Sequence, residues 1–598
     1  MILTKEEVKR DIDTNRNHSW IKEVYSRHKN ELNREVLDYF GNNISYKKIF
    51  NESIDLAKAM KENGLKKGDE FIVFVDRIPE FVYLMCAANI IGAKINFVSE
   101  KFNPEYIKDI IKNANSKFIF VQDYKLQKIN SIISTLDDYK IITFSHERSL
   151  PKDCAYERIL NEFYNVSHCE NIDKYIKYDE FVNSGKKFNG KVFEKSKLDD
   201  TFTITYSSGT TKKGFPKGIV HANRHYITMG RYHDPEVSGV PSLKNFRTYS
   251  NIPVYSNTYI SSSLSDNLIM GGKVILDPID NPEYFTIGMK IHRGNMNVAT
   301  PSTWILNALN YYNTNDKYNI RNLPDALFNF AGGEQLSAGE EKFLNRFLKD
   351  VKAGTNVSHT PFTIAKMCTA GADCEHGSIF YKLFREYFNK LPYRIGRKEP
   401  VGMNVYDFVD IKVLRNDGTY CAPCEHGRVV VNSDCTMKGY NHNDEETKNF
   451  YIKDAYGKTW GNMNLYGYLD EKHNISMKGR YVDDNSIPTY RIADEILKDT
   501  KKIMSCEVIC IKDDNTFKYV AHIVPQYGTT FNTQKVLEGA LKRCIDKFGY
   551  EIQNILYFKV RNNYPLSSCA KRDIISLKNE GLKNTIHITS NKQKVKKR

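Results

Sequence analysis

The sequence predicts an α/β protein. We expect a large N-terminal domain of βαβ-type sheets flanked by helices, a β-rich subdomain, and a small, mobile α+β C-terminal domain. Short β-prone runs alternate with helical patterns over roughly the first 120 residues and again at 261–347, an order typical of parallel sheets covered by helices. After Arg397 the pattern changes to short β runs separated by turns, and a last α/β piece follows Arg480.

Each predicted element follows from its local pattern. Residues 46–63 place apolar side chains at helical spacing, and Gly64 and Gly68 then end this helix. Segment 80–91 is apolar at most positions, as expected of a helix buried against a sheet. The predicted elements are, in chain order, helix 46–63, strand 70–75, helix 80–91, strand 95–98, helix 104–113, strands 118–121, 201–205, 410–414, 428–431, 506–511 and 519–524, and helix 534–548.

Length, cysteine content and charge exclude several classes of protein. The 598 residues exceed one compact core and suggest about three to four folding units. Twelve scattered cysteines do not form a disulfide scaffold, so a reducing, cytoplasmic location is expected. The net charge of +15 comes from basic residues spread along the whole chain. No nucleic-acid partner is therefore expected, and the basic tail 592–598 is interpreted as a solvated end.

Neither a targeting segment nor a membrane span is predicted. Charged residues begin at Lys5, so the start of the chain lacks the apolar region of a signal peptide. The most apolar stretch, 81–98, is interrupted by Asn89, Lys94 and Asn96, which makes it a poor membrane span.

A dense cluster of hydroxyls, glycines and lysines follows the predicted strand 201–205. Glycines allow successive backbone N–H groups to converge on an anion, while serine, threonine and lysine add donors and charge. The cluster therefore predicts a phosphate-binding loop. Gly209 and Gly214 have the separation found in P-loop NTPases, but Phe215 and Pro216 replace the required Lys and Ser/Thr, which argues against that class.

This loop resembles the signature of the adenylate-forming superfamily, which includes acyl- and aryl-CoA synthetases and adenylation domains. The family form is Ser-Gly-Thr-Thr-Gly-x-Pro-Lys-Gly. Here Ser208-Gly-Thr-Thr211 is followed by an extra Lys212-Lys213 and then by Gly214-Phe-Pro-Lys-Gly218. The continuation Ile219-Val-His221 is more similar to acyl-CoA synthetases than to peptide synthetases.

Further landmarks of the same family appear in the correct order, so the resemblance covers nearly the whole chain. They include the Gly-Gly-Glu element that lies against the adenine, the segment before the hinge, and the terminal Pro-x-Thr-x-x-Gly-Lys motif. The matching stretches are Ala331-Gly-Gly-Glu334, Asn356-Val-Ser-His-Thr-Pro361, Gly467-Tyr-Leu-Asp-Glu471, Gly479-Arg480, Tyr490-Arg-Ile492, Glu495-Ile496 and Pro565-Leu-Ser-Ser-Cys-Ala-Lys571.

The resemblance implies an acid–thiol ligase that uses ATP, Mg²⁺ and CoA. A carboxylate would attack the α-phosphate of ATP to give acyl-AMP and pyrophosphate, and a thiol would then attack the acyl-AMP. No protein nucleophile is needed, since the catalyst has to bring two anions together and stabilise their charge. The thiol belongs either to free CoA or to a separate carrier protein. A catalytically impaired nucleotide- or acyl-binding relative is the remaining alternative.

The same resemblance implies the role of each site residue and a two-domain division. The body would comprise residues 1–481, and the lid 482–598 would turn at the hinge Val482-Asp483 to carry Lys571 to and from the α-phosphate. Thr360 would bind an α-phosphate oxygen, and Arg480 the ribose. The other implied ATP-binding residues are Ser207, Ser208, Gly209, Thr210, Thr211 and Lys217 for the phosphates, Gly333 and Glu334 for the adenine, and Asn462 for the ribose.

The sequence departs from the family at three places. Pro361 replaces the glutamate that binds Mg²⁺, so the protein ligand of the metal is unknown, and Val357 and Ser358 replace a tyrosine and a glycine. The ribose-binding aspartate is replaced by Asn462, or by Asn464 in a shifted alignment, and an amide loses the charge-assisted strength of the hydrogen bond. The sequence thus fits either a divergent ligase or one with impaired ATP use.

The predicted acid pocket lacks the carboxylate that would bind an amino group. The family's Phe-Asp-x-Ser segment corresponds to Pro253-Val-Tyr-Ser-Asn257, which has no acid, so a plain carboxylic acid is expected rather than an α-amino acid. The residues predicted to line the pocket are Tyr255, Ser256, Thr300, Ser302 and Trp304.

A zinc site is a weaker interpretation of the cysteines. Cys421 and Cys424 form the only Cys-x-x-Cys, with His426 and Cys435 further along. A single such pair falls short of the usual four-ligand spacing, and a structural turn is favoured.

Overall fold

Four β-sheets organise the part of the chain that the structure describes. The structure is a computed structural model. It describes residues 5–14, 17–136, 138–164, 172–207, 216–232, 246–313, 320, 323, 325–326, 328–334, 336–352, 368–373, 375, 377–382, 404–405, 409–481, 486–513, 516–567 and 570–589. The predicted hinge 482–483 lies outside these residues, so the boundary between 1–481 and 482–598 remains a prediction.

The first sheet carries the strand that leads into the phosphate loop. It has eight described strands, and the neighbours from Thr201–Tyr206 to Ile176–Lys177 pair in parallel. In spatial order they are Gly439–Tyr440, Gly218–Ala222, Thr201–Tyr206, Lys94–Phe97, Glu70–Phe74, Phe118–Gln122, Lys140–Phe144 and Ile176–Lys177. Parallel neighbours direct their carboxyl ends to one edge, where ligands bind in α/β folds.

The second sheet has nine described strands and brings together distant parts of the chain. In spatial order they are Asn404–Val405, Gly377–Lys382, Cys368–Asp373, Phe328–Gly332, Met296–Ala299, Arg247–Ser250, Lys273–Leu276, Glu35–Tyr39 and Asn42–Ser45. The hairpin Glu35–Ser45 joins this sheet through a parallel pairing with Lys273–Leu276.

The two remaining sheets lie later in the chain. The β-rich part forms a five-stranded antiparallel sheet of the described strands Val409–Leu414, Gly427–Ser433, Thr459–Leu469, Tyr451–Lys453 and Ile475–Arg480. The last sheet has four described strands, Ile503–Asp513, Thr516–Pro525, Leu556–Val560 and Ile586–His587. We call residues 486–589 the C-terminal unit.

Helices cover the faces of these sheets. Helix Pro79–Ile91 is buried at every position, which explains its unbroken apolar pattern. The other α-helices are Lys5–Thr14, Trp20–His28, Tyr46–Glu62, Pro104–Asn113, Asp123–Ile133, Glu157–Phe163, Tyr178–Ser184, Asn223–Tyr232, Asp266–Met270, Phe285–His292, Pro301–Asn313, Ala338–Lys352, Asp444–Phe450, Thr489–Leu497, Thr533–Phe548, Ile552–Ile555 and Ile574–Glu580. None of the described helices has the length and apolar character of a membrane span.

A buried arginine ties the two large sheets together. Arg77 follows strand Glu70–Phe74, and its guanidinium donates to the carbonyls of Asp277 at 2.8 Å and Ile279 at 2.6 Å, directly after strand Lys273–Leu276. Guanidinium groups satisfy several carbonyls at once because they carry five N–H donors. The carboxyl ends of these two strands are thereby held close together.

The predicted α/β class and the predicted elements are confirmed. Helix 104–113 is found as Pro104–Asn113, and helix 534–548 begins one residue earlier, at Thr533. Strand 506–511 is longer than predicted and spans Ile503–Asp513. The pairing of Glu35–Tyr39 with Lys273–Leu276 was not predicted, because it joins segments more than 200 residues apart.

Candidate active site

The predicted phosphate loop joins the two strands of a β-hairpin. Strand Thr201–Tyr206 pairs antiparallel with Gly218–Ala222. At the base of the loop the Ser207 amide donates to the Lys217 carbonyl at 3.1 Å, and the Lys217 amide donates to Ser207 Oγ at 2.9 Å. Ser207 therefore closes the loop, and within the described part of the chain its hydroxyl proton has no acceptor. Outside the described residues lie Ser208, Gly209, Thr210 and Thr211.

Lys217 is paired within the protein. Its Nζ lies 2.5 Å from Glu446 Oε2 and 4.6 Å from the centre of the Tyr440 ring. Glu446 is half-exposed and lies in the first turn of helix Asp444–Phe450. A phosphate that binds Lys217 would therefore compete with a carboxylate for the same ammonium group.

The candidate ribose residues lie in one hairpin. Asn462 and Asn464 bond to each other: Asn462 Nδ2 donates to Asn464 Oδ1 at 3.0 Å, and the Asn464 amide donates to Asn462 Oδ1 at 2.9 Å. Asn464 adopts a left-handed backbone with φ of 54°, a conformation that Asn tolerates. Arg480 ends the neighbouring strand, paired with Leu465. The structure thus places Asn462, Asn464 and Arg480 on two adjacent strands of one hairpin.

Glu334 connects helix Pro301–Asn313 to the segment that carries Lys571. Its carboxylate accepts from the Ser302 amide at 3.0 Å, from Ser302 Oγ at 3.1 Å and from the Arg572 amide at 2.5 Å. Ser302 lies in the first turn of helix Pro301–Asn313, where a negative charge is stabilised by the unpaired N–H groups. Glu334 therefore both caps this helix and holds the backbone next to Lys571.

The structure places Lys571 against the predicted adenine element. Gly333 has φ of 86°, and a Cβ there would lie 3.2 Å from Lys571 Nζ, so a side chain at this position would be strained and would crowd the lysine. The loop is held by a bond from Thr300 Oγ1 to the Ala570 carbonyl at 2.6 Å and by one from the Ser567 amide to the Lys571 carbonyl at 2.7 Å. Among the described residues, no hydrogen bond or ion pair engages Lys571 Nζ.

The five residues predicted to line the acid pocket divide into three groups. Tyr255 and Ser256 are buried beside the hairpin, and the Tyr206 amide donates to the Tyr255 carbonyl at 2.9 Å. Thr300 and Ser302 bind the Lys571 loop and Glu334 instead, as given above. Trp304 is fully buried, donates from Nε1 to the Phe330 carbonyl at 2.9 Å and packs against a phenylalanine ring. Its observed contacts are those of a core residue.

Sequence reasoning missed Arg572 and Glu340. Arg572 Nη2 donates to Glu340 Oε1 at 2.7 Å. Glu340 and Ser337 also form a capping box: the Glu340 amide donates to Ser337 Oγ at 3.1 Å, and the Ser337 amide donates to Glu340 Oε2 at 2.9 Å. The Ser-x-x-Glu spacing of this box was a readable signal. Burial alone would lower the pKa of Arg572, but the carboxylates of Glu340 and Glu334 outweigh it and raise that pKa, so the guanidinium stays charged.

A buried polar network behind Tyr255 was also missed. Tyr226 Oη donates to Asn257 Oδ1 at 3.1 Å, and Asn257 Nδ2 lies 3.1 Å from His225 Nε2. His225 Nδ1 lies 2.6 Å from the Cys435 carbonyl, which only accepts. The Nδ1 atom therefore carries a proton. No motif in the sequence marks these residues.

The metal site remains unassigned. Thr360 and Pro361 lie outside the described residues. Within the described part of the chain, no three His, Cys, Asp or Glu side chains are grouped to hold a metal ion. His426, considered above as a zinc ligand, stacks on Tyr468, and its Nδ1 lies 2.9 Å from Tyr490 Oη.

Curated relatives match a part of the chain. An acetyl-coenzyme A synthetase of Campylobacter jejuni subsp. jejuni is 25% identical over 221 residues, which are 36% of this chain and 32% of the relative. The trans-cinnamate:CoA ligase of Petunia hybrida is 23% identical over 199 residues, 33% of this chain and 34% of the relative. The chain therefore spans about a third of the length of the curated relatives it matches.

Solved structures match nearly the whole chain and show its fold. The anthranilate CoA ligase AuaEII in complex with anthranoyl-AMP has a TM-score of 0.72 at 15% identity, covering 95% of this chain and 98% of that one. ATP-bound MatB from Rhodopseudomonas palustris has a TM-score of 0.70 at 15% identity, covering 95% and 99%. The sequence profile of AMP-binding enzymes matches residues 25–441, more than half of the chain. The chain belongs to the AMP-binding enzyme family.

Proposed function

We propose that this protein is an ATP-dependent acid–thiol ligase that activates a carboxylic acid as acyl-AMP and transfers the acyl group to CoA. Family membership supports adenylate formation, and the acetyl-coenzyme A synthetase and trans-cinnamate:CoA ligase relatives support CoA as the thiol.

One observation carries the proposal: the amino group of Lys571 lies against Gly333 and, among the described residues, has no hydrogen-bond or ion-pair partner. Three backbone groups around it are fixed, since the Ala570 carbonyl, the Lys571 carbonyl and the Arg572 amide are each hydrogen-bonded. A lysine whose backbone is held while its ammonium remains free suits the stabilisation of charge on an incoming anion. The protein is thus arranged to offer one positive charge at a fixed place.

The adenylation step follows from this arrangement. A carboxylate oxygen of the acid attacks the α-phosphorus of ATP, the new C–O–P bond forms, and the bond from Pα to the bridging oxygen breaks, with the electron pair leaving on pyrophosphate. Lys571 would stabilise the negative charge shared by the carboxylate and the α-phosphate. Ser207 and Lys217 at the hairpin base would hold the departing phosphates, once Lys217 has exchanged Glu446 for them.

Mg²⁺, which the family implies, would be held mainly by the phosphates of ATP. This ion keeps several waters and takes only one or two protein carboxylates. Among the described residues, the carboxylate that contacts the phosphate-loop base is Glu446, which is half-exposed. Glu446 is held by Lys217, so phosphate and water oxygens would supply the ligands, and the ion would neutralise phosphate charge there.

The acid itself would be a plain carboxylic acid. The segment Pro253–Asn257 carries no carboxylate that could pair with an ammonium group. Behind it, the network of Tyr226, Asn257 and His225 contributes no carboxylate. An α-amino group would therefore be desolvated without a counter-charge, which is costly.

Acid-dependent exchange of labelled pyrophosphate into ATP tests this proposal. The wild-type chain is assayed with a panel of aliphatic, aromatic and amino acids, each with and without CoA. We expect exchange with at least one plain acid, no exchange with amino acids, and a thioester when CoA is present.

Other results select the alternatives. Exchange without any CoA thioester would favour an enzyme that loads a carrier protein. If no acid supports exchange but calorimetry shows nucleotide binding, a non-catalytic relative would be favoured. The pairing of Lys217 with Glu446 and of Asn462 with Asn464 is consistent with that alternative.

A further inference from the structure

Arg572, the residue directly after Lys571, has a largely buried side chain, which is unusual for an arginine. Its side chain is 9% exposed, and it spans two parts of the molecule. Nη2 donates to Glu340 Oε1 at 2.7 Å, while Nη1 lies 3.3 Å from Glu507 Oε2. The guanidinium carbon lies 5.0 Å from the centre of the Tyr564 ring, so one face of the group is covered.

The two carboxylates belong to different units. Glu340 lies in helix Ala338–Lys352, which packs on the second sheet, whereas Glu507 lies in strand Ile503–Asp513 of the C-terminal unit. Arg572 thus connects the C-terminal unit to the body through its bond with Glu340.

Glu340 depends on this partner. Its side chain is 1% exposed, and one of its oxygens is already used by the capping box with Ser337. A buried carboxylate that loses its cation is strongly destabilised, because the charge cannot recover its hydration. Any movement that carries Lys571 away from Gly333 also separates Arg572 from Glu340, so this pair favours the docked arrangement.

Other contacts also cross this boundary: Ser337 Oγ donates to the Met504 carbonyl at 2.6 Å, and Thr300 and Glu334 bond to backbone groups beside Lys571. Phe343 and Leu344 of the body share an apolar cluster with Met504 and Tyr564 of the C-terminal unit. Apolar burial is non-directional, so it holds the surfaces together without fixing their register. The ion pair, by contrast, has a defined geometry, because a guanidinium presents its donors in a rigid plane.

We propose that Arg572 is a positioning residue whose ion pair with Glu340 latches the C-terminal unit in the arrangement that places Lys571 at the nucleotide. This role rests on the proposed function. Loss of the latch slows adenylation, for which Lys571 must be docked, and leaves thioester formation unimpaired, for which it must be withdrawn.

The test uses Arg572→Gln and Glu340→Gln in the full-length chain. Each variant is expected to lose about tenfold to a hundredfold in the kcat of pyrophosphate exchange, while transfer from supplied acyl-AMP to CoA stays within about twofold of wild type or becomes faster. Because the two residues act as one pair, the double variant should lose no more than the worse single variant. Arg572→Lys, which keeps the charge but not the planar donors, should be intermediate.

Arg543→Gln is the matched control. Arg543 is also partly buried in the C-terminal unit, but its hydrogen bonds to described residues go to the carbonyls of Glu495 and Ile496 within that unit. It should leave both half-reactions unchanged. The latch would be overturned if Arg572→Gln slowed both half-reactions equally. It would also be overturned if the loss in the double variant equalled the product of the two single losses.

Hydrogen exchange separates this inference from the proposed function. The Arg572 amide bonds to Glu334, so it should be protected in the wild type and exchange at least fivefold faster in Arg572→Gln and Glu340→Gln. This readout needs no turnover. Unchanged protection of this amide in both variants would overturn the latch even if the enzyme is active. If the variants lose protection but the wild-type chain shows no pyrophosphate exchange with any acid, the latch is supported and the proposed ligase is contradicted.

Discussion

The two ends of the candidate nucleotide site differ in how their side chains are engaged. At the phosphate and ribose end the polar groups are already bonded to one another: Lys217 pairs with Glu446, and Asn462 bonds to Asn464. At the lysine end the side chain of Lys571 is unpaired among the described residues, while the backbone around it is fixed.

This difference indicates that the two ends of the site are prepared for ATP in different ways. Groups that are bonded within the protein must exchange partners when ATP binds, so part of the binding free energy is used to break internal contacts. A fixed backbone with a free ammonium needs no such exchange, which is how preorganised sites gain their catalytic effect. Changes at the lysine end should therefore alter the rate of adenylation, and changes at the other end should alter the affinity for ATP.

The largest effect is expected at Lys571. Lys571→Ala removes the positive charge that lies against Gly333, and the loss of a single charge-stabilising donor typically costs about a hundredfold to a thousandfold in rate. We expect a loss of this size in acid-dependent pyrophosphate exchange, with transfer from supplied acyl-AMP to CoA within about threefold of wild type. An equal loss in both half-reactions would contradict a role confined to adenylation.

A smaller effect is expected at Thr300. Thr300→Val removes the hydrogen bond to the Ala570 carbonyl but keeps the shape of the side chain. A hydrogen bond of this kind contributes about 0.5 to 1.5 kcal/mol, so kcat of exchange should fall about twofold to tenfold at constant KM for ATP. Thr303→Val removes the hydroxyl that lies 3.0 Å from Thr300 Oγ1 but leaves the bond to the Ala570 carbonyl, so it separates the two contacts and should lose at most about twofold. A changed KM at constant kcat in Thr300→Val would place Thr300 at the substrate instead.

At the phosphate end, Glu446→Gln should lower the KM for ATP. The ion pair with Lys217 is partly exposed, and such pairs contribute about 0 to 1 kcal/mol, so the decrease should not exceed about fivefold. Glu445→Gln, on the exposed side of the same helix, controls for the lost charge and should change KM by less than about twofold. A raised requirement for Mg²⁺ in Glu446→Gln would identify Glu446 as a metal ligand rather than a competitor.

The smallest effect is expected at the ribose end. Asn462→Asp restores a charged acceptor, and charge-assisted hydrogen bonds are about twice as strong as neutral ones. The KM for ATP should fall about threefold, measured at fixed ionic strength. Asn464→Asp, two residues away in the same hairpin, distinguishes the two alignments: an effect there alone would move the ribose acceptor to Asn464, and no effect in either variant would contradict the placement of the ribose at this hairpin.

The sequence predicted elements that depend on local pattern. Helix Pro104–Asn113 has proline in its first turn, and helix Pro79–Ile91 is buried on all sides, so each left a direct signal. The loop segment that holds Lys571 could be found because a motif marks it. Pairings over long distances left no such signal, as with the hairpin Glu35–Ser45 and its partner strand Lys273–Leu276.

Individual side-chain roles were harder to predict than the fold. The assignment of Trp304 to the acid pocket stays a prediction; its observed contacts are with the core, where the Phe330 carbonyl accepts from its indole N–H. Thr300 and Ser302 were assigned to the same pocket, yet their bonds go to Ala570 and Glu334. Which of two neighbouring partners a hydroxyl selects depends on distances that only the folded chain defines.

Protection of the Lys571 amine tests the central claim most directly. A brief pulse of an amine-acylating reagent, followed by mass spectrometry, measures the reactivity of single lysines with and without a non-hydrolysable α,β-methylene analogue of ATP. Because the Lys571 amine is free and lies against Gly333, the nucleotide should slow its labelling at least fivefold. The exposed Lys535, in helix Thr533–Phe548, should react at the same rate in both samples. Equal labelling of Lys571 with and without a saturating nucleotide would contradict the account.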